Sequence, residues 1–99
     1  MTKQVHIPAC SGRLNESELA FLQLLGRSGR PAVYSVAQVG ARIGVRAGTA
    51  RRVIRSTGEK GYVEVHTRFQ SNGGQLENEY LLTPSGQAVV DAWERQAVN

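Results

Sequence analysis

Between residues 35 and 57 the chain reads SVAQVGARIGVRAGTARRVIRST, with five arginines (Arg42, Arg46, Arg51, Arg52, Arg55) and no carboxylate. A guanidinium group stays charged at any physiological pH and presents a planar fork of donors, which matches phosphate oxygens and the O6/N7 edge of guanine. The chemistry this stretch offers is therefore recognition of a polyanion. Other chemistries fail on the same inspection. His6 and Cys10 stand four apart, but only His66 remains as a further ligand, so no metal is expected. With one cysteine, two distant histidines and no paired acids beside a glycine-rich loop, there is no catalytic constellation. Gly73 and Gly74 lack the lysine that follows a phosphate cradle. The sequence thus predicts no enzyme, no cofactor and no small-molecule ligand.

The net charge of +4 and pI near 9.8 say less than their distribution. Glu16 and Glu18 precede the arginine-rich stretch, and Glu64, Glu77, Glu79, Asp91 and Glu94 follow it. Such separation makes a basic face, which attracts nucleic acid more than an averaged charge would. Ninety-nine residues with 40% hydrophobic content suit one domain with one modest core. No apolar run nears the ~20 residues of a membrane span, and residues 1–13 carry no apolar block of the signal-peptide kind. A single cysteine, Cys10, fits a reducing cytoplasm.

The arginines need a scaffold, and the flanking sequence supplies one. Residues 1–13 lack periodicity and are expected to form a flexible arm, leaving 14–99 as the domain. Asn15 should cap the first helix, with Glu18 reaching back as in a capping box and Leu14 and Leu19 placed as a hydrophobic staple. Leu19, Phe21, Leu22 and Leu25 give that helix its apolar face, and Gly26, Gly29 and Pro31 should end it. Ala32-Val33-Tyr34 suggests a brief strand. Ser35 is placed to cap a second helix with Val36, Val39 and Ile43 inward. Gly40 allows close helix contact, Gly44 supplies positive φ for a sharp turn, and Val45 plugs the angle. A third helix is predicted over 47–60, with Ala50, Val53 and Ile54 inward and Arg51, Arg52 and Arg55 outward. It should end weakly, because Thr57 sits inward where leucine packs better and Gly58 costs ~1 kcal/mol relative to alanine; Gly61 suits a C-cap.

Asn72-Gly73 is a strong two-residue hairpin signal. Centring the turn there pairs Phe69 with Leu76, Val65 with Tyr80 and Val63 with Leu82. On the other face it pairs Arg68 with Glu77 and His66 with Glu79, opposite charges opposed. Thr83 and Pro84 then open a last helix, as cap and first residue, whose stripe of Ala88, Val89, Val90, Ala92 and Trp93 either completes the core or meets a second subunit.

The resulting order, α-β-α-α-β-β-α, is mainly α with a small β-hairpin (α+β). With its motifs it resembles the winged helix-turn-helix family of bacterial DNA-binding domains over residues 15–95. SVAQVGARIGVRAGTARRVIRSTGEKGYV looks like the helix-turn-helix, with Gly40, Gly44 and Thr49 in place. RFQSNGGQLENEYLLT resembles the wing of plasmid, phage and replication-associated members. LTPSGQAVVDAW looks like the helix after the wing in multiple-antibiotic-resistance-type regulators. Arg46 departs from the usual serine cap and Thr57 from the usual leucine.

The resemblance implies a sequence-specific double-stranded DNA-binding protein of the bacterial cytoplasm, a transcriptional regulator in the first instance. Its alternatives are a plasmid or phage replication or partition factor, and a protein-interaction module that does not bind DNA. Arg46, Ala47, Gly48, Thr49, Arg51, Arg52 and Arg55 would form the reading helix. Arg46, Arg51 and Arg52 are the candidates for bases, Arg55 and Arg42 for phosphate. Ser35, Arg42 and the wing residues Arg68, Gln70, Ser71, Asn72 and Gln75 would flank it. A homodimer through the terminal helices, with Phe21, Val89, Val90 and Trp93 at its contact, is expected. The ends of the reading helix are expected to order fully only on DNA.

Overall fold

A computed structural model describes residues 4–5, 14–28, 31–67 and 77–98. Its elements run β1 (Gln4–Val5), β2 (Leu14–Asn15), α1 (Glu16–Ser28), β3 (Ala32–Tyr34), α2 (Val36–Ile43), α3 (Ala47–Glu59), β4 (Val63–His66), β5 (Asn78–Leu82) and α4 (Pro84–Val98). The expected order is present, preceded by a small ladder that was not anticipated. Gln4 and Val5, in the stretch expected to be a flexible arm, pair antiparallel with Asn15 and Leu14 at the start of the domain.

Helix α1 begins as its capping box dictates. The Asn15 side chain accepts the Glu18 amide at 2.8 Å, and the Glu18 carboxylate accepts the Asn15 amide at 3.0 Å. Gly26 does not stop this helix, which continues to Ser28. Gly26 faces α4, and a Cβ there would meet the Val90 side chain at 3.4 Å, an ordinary van der Waals distance.

The sheet has the order β3-β5-β4, all antiparallel. Val63 pairs with Leu82, Val65 with Tyr80 and His66 with Glu79, in the register the sequence predicts. The pairs Phe69–Leu76 and Arg68–Glu77 and the turn itself lie outside the described residues. Strand β3 adds Ala32–Tyr80 and Tyr34–Asn78 on the other edge of β5.

Leu14, Phe21 and Leu22 of the N-terminal half join Val39, Ala50, Val53, Tyr80, Val89 and Val90 in one core. The rings of Phe21 and Tyr80 meet edge to face at 5.5 Å, a favoured aromatic geometry. Phe21, Val89 and Val90 are each at most 2% exposed. The expectation that they form a dimer contact is corrected: a single domain already consumes them. Trp93 is partly buried against the same core.

Thr83 caps α4 through its hydroxyl, which accepts the Gly86 amide at 3.1 Å and donates to the Gly61 carbonyl at 2.7 Å. One side chain thus joins the end of α3 to the start of α4. Gly86 is buried, and a Cβ there would collide with the Tyr62 carbonyl oxygen.

Candidate nucleic-acid interface

Helix α2 is held by a complete capping box, in which the Ser35 hydroxyl accepts the Gln38 amide at 3.1 Å and Gln38 accepts the Ser35 amide at 2.8 Å. It ends at Gly44, whose φ of 79° is the left-handed conformation the sharp turn requires. Gly40 sits where the helices converge, since a Cβ there would lie 2.7 Å from the Val45 carbonyl oxygen. These two glycines fix how α3 leaves α2.

Helix α3 buries Ala50, Val53, Ile54 and Thr57. At 3.6 residues per turn, the opposite face then carries Gly48, Arg51, Arg52, Arg55 and Glu59, and all but glycine are long polar side chains exposed to solvent. Arg46 is the N-cap residue and is also exposed; its side chain caps nothing. Ala47 is exposed, and beyond Gly48 there is open space for 4 Å. Thr49 is half-buried and accepts a long hydrogen bond from Arg52 at 3.5 Å. Arg42, in the last turn of α2, lies 5.4 Å above the Tyr34 ring, a cation–π contact that stiffens its base while leaving it exposed. Among the described residues, no carboxylate forms an ion pair with any of the five arginines.

The helix-turn-helix half of the expected site is therefore brought together: Arg46, Ala47, Gly48, Arg51, Arg52 and Arg55 are exposed along α3 and its cap, Thr49 is half-buried beside them, and Ser35 and Arg42 lie on α2 and its cap. The wing half, Arg68, Gln70, Ser71, Asn72 and Gln75, lies outside the described residues. Glu59 belongs to the outward face and went unremarked in the charge reading. It stands one turn beyond Arg55, at the C-terminal end of the basic run. His66 faces Glu79 in the register, yet its nearest carboxylate is Glu64, at 3.6 Å on the same strand.

The expected weak end of α3 is also corrected. The Tyr62 amide donates to the Thr57 carbonyl at 3.0 Å and the Gly61 amide to the Gly58 carbonyl at 3.1 Å, with Gly61 at φ 80°. This is a Schellman closure, which satisfies carbonyls that the helix leaves open. Thr57, fully buried, donates its hydroxyl to the carbonyls of Val53 and Ile54 at 2.8 and 3.2 Å. An inward threonine is tolerated because its polar atom is satisfied within its own helix.

One group was missed altogether in its wider role. The Glu18 carboxylate, besides capping α1, accepts from the Ser56 hydroxyl at 2.5 Å and from Lys60 Nζ at 2.8 Å. Its side chain is 5% exposed, that of Lys60 29%. Burial alone would raise the carboxyl pKa; hydrogen bonds from Lys60, Ser56 and the Asn15 amide, with the Lys60 charge, outweigh it and hold the group below 4.5. A cavity of about 210 Å³ runs from Asn15 and Glu18 along α3 past Ser56 to Arg52 and Thr49. Among the described residues no group of three His, Cys, Asp or Glu could hold a metal ion, and no helix is long and apolar enough to cross a membrane.

No family model and no curated protein matches the sequence. Solved structures do match its fold. A mutant form of ZitR from Lactococcus lactis aligns with TM-score 0.65 and 11% identity over 96% of this chain and 63% of its own. A MarR family regulator from Neisseria meningitidis aligns with TM-score 0.63 and 20% identity over 86% of this chain and 56% of its own. A MarR family transcriptional regulator from Silicibacter pomeroyi gives TM-score 0.62 and 21% identity over 86% and 53%. The chain thus spans little more than half the length of these structures. The fold is that of those structures, and the chain has the winged helix-turn-helix fold.

Proposed function

We propose that the chain is a sequence-specific double-stranded DNA-binding protein, a small transcriptional regulator, that lays α3 in the major groove. The observation that carries this reading is the outward face of α3, where Arg51, Arg52 and Arg55 are exposed and make no ion pair among the described residues, while Gly48 leaves the helix end open. Guanidinium groups so placed suit the guanine edge and the flanking phosphates. Arg46, Arg51 and Arg52 are assigned to bases, Arg55 and Arg42 to phosphate. The wing residues 68–75 would reach the adjacent backbone or minor groove. Likeness to structures of transcription regulators supports the same reading. A protein-interaction module would need an acidic partner for this face and is disfavoured.

One winged helix offers a modest contact area, so binding as a homodimer on a symmetric or repeated site is part of the proposal. Its contact would draw on the partly buried Trp93 and the outer faces of α1 and α4. The test is duplex affinity against salt concentration. Several arginine–phosphate contacts predict a steep fall as salt rises, with a slope of about −0.9 per neutralised phosphate; absence of duplex binding at low salt would refute the reading. Arg51→Ala or Arg52→Ala should cost ~1–3 kcal/mol and relax preference at one base position. A uniform loss over all sequences would reassign that arginine to phosphate.

A further inference from the structure

The apolar contacts of α3 do little to fix its rotation about its own axis. Its buried set comprises Ala50, Val53, Ile54 and Thr57, of which only Ile54 is large. Dispersion contacts of this kind are non-directional, and a modest roll of the helix would keep most of them while sweeping the outward arginines along the groove. Hydrogen bonds to a buried carboxylate are short and directional by contrast. Ser56 on α3 and Lys60 at its C-cap, one turn apart, both donate to the same Glu18 oxygen, while the other oxygen is pinned by the Asn15 amide at the start of α1. Thr49, Arg52 or Val53, Ser56 and Lys60 follow one another at helical spacing, so the edge that Glu18 holds continues directly to the arginine face.

An ion pair whose carboxylate is buried and whose lysine is partly exposed adds little stability, because desolvating the carboxylate offsets much of the attraction. Its better-attested contribution is to specify one geometry among near-equivalent ones. We propose that Glu18 is a positioning residue for DNA recognition: held by Asn15 and grasped by Ser56 and Lys60, it fixes the roll of α3 against α1 and thereby the register at which Arg51 and Arg52 meet base edges. The inference rests on the DNA-binding reading above, and a separate outcome tests each.

The experiment compares the parent protein with Glu18→Gln on two duplexes of equal length, one selected by the parent from a random pool and one a scramble of it. Glu18→Gln keeps every arginine and Lys60 and removes one negative charge. Binding to the scramble should therefore be unchanged or slightly tighter. Binding to the selected site should weaken, and the ratio between the two should fall about tenfold, the worth of one bidentate base contact. A merely structural role would lower both affinities in step with the folded fraction and leave the ratio intact; an unchanged ratio in a folded variant overturns the proposal. Ser56→Ala, which removes one donor and no charge, should reduce the ratio in the same direction, and it serves as the decisive variant should Glu18→Gln not fold. A parent that binds duplex without preference has no register to fix, which overturns this inference but not the electrostatic part of the reading. A parent that binds no duplex overturns both.

Discussion

The two ends of α3 are built in opposite ways. At the C-terminal end the Schellman closure at Gly61, the Thr57 hydroxyl, the Ser56 and Lys60 bonds to Glu18 and the Thr83 bridge leave few polar groups open. At the N-terminal end Arg46 caps nothing and the next two residues are alanine and glycine. The first amides of a helix lack internal partners and carry a partial positive charge. The difference teaches where each kind of bond is placed: the scaffold end is satisfied from within, and the end turned towards the proposed ligand keeps its donors for something anionic.

That contrast can be broken most severely at Gly86. Gly86→Ala would drive a methyl group into the Tyr62 carbonyl and force α4 off the closed end, at a cost of about 3 kcal/mol. Denaturant titration should show a much lower midpoint, with duplex affinity falling only as the folded fraction falls. The open end responds in the reverse sense. Arg46 already has the extended φ of −72° and ψ of 159° of an N-cap, so Arg46→Ser should stabilise the fold by about 1 kcal/mol. The same variant should bind duplex more weakly, because a cation at the groove is lost; tighter melting without weaker binding would detach this end from the site. Gly61→Ala tests the closed end more gently. Its φ of 80° disfavours any side chain, so a loss of about 1 kcal/mol is expected in the same titration.

The smallest effect concerns acid. The Glu18 pKa is lower in the folded chain than its ordinary 4.5. Its contribution to stability is therefore fully present above about 4.5 and is lost as pH falls through the folded value. Urea midpoints measured downward from neutral pH should decline more steeply in the parent than in Glu18→Gln. Equal declines would mean that the carboxylate is not held as described.

Much of this fold was legible because its signals are local. Asn72-Gly73 lies between runs whose charges and apolar residues match in only one alignment, and the paired strands follow that alignment from Val63 to His66. Gly40 and Gly44 announced the tight helix pair for the same reason, each being required by a neighbour a few residues away. Ser35 and Gln38 form a capping box that a three-residue pattern would have disclosed in full. The errors are non-local. Glu18 was readable as a cap but not as a partner of Ser56 and Lys60, which lie far along the chain. Two-residue strands such as β1 have no periodicity to detect. Phe21, Val89 and Val90 were assigned to a dimer because an apolar stripe reveals that a face is buried, not which body buries it.

The position of β5 at the centre of the sheet has a consequence for assembly of the chain. Because β3 pairs with β5 rather than with β4, the stretch from Ala32 to Tyr80 is closed into a loop that contains the whole helix-turn-helix. Closing a long loop is entropically unfavourable before any contact rewards it, although the penalty grows only logarithmically with length. Folding should therefore pair β4 with β5 first, since they are nearer in the chain, and capture β3 afterwards. Until that late step the sheet lacks its third strand, so a nascent chain would complete the sheet only once residues near Leu82 have been made.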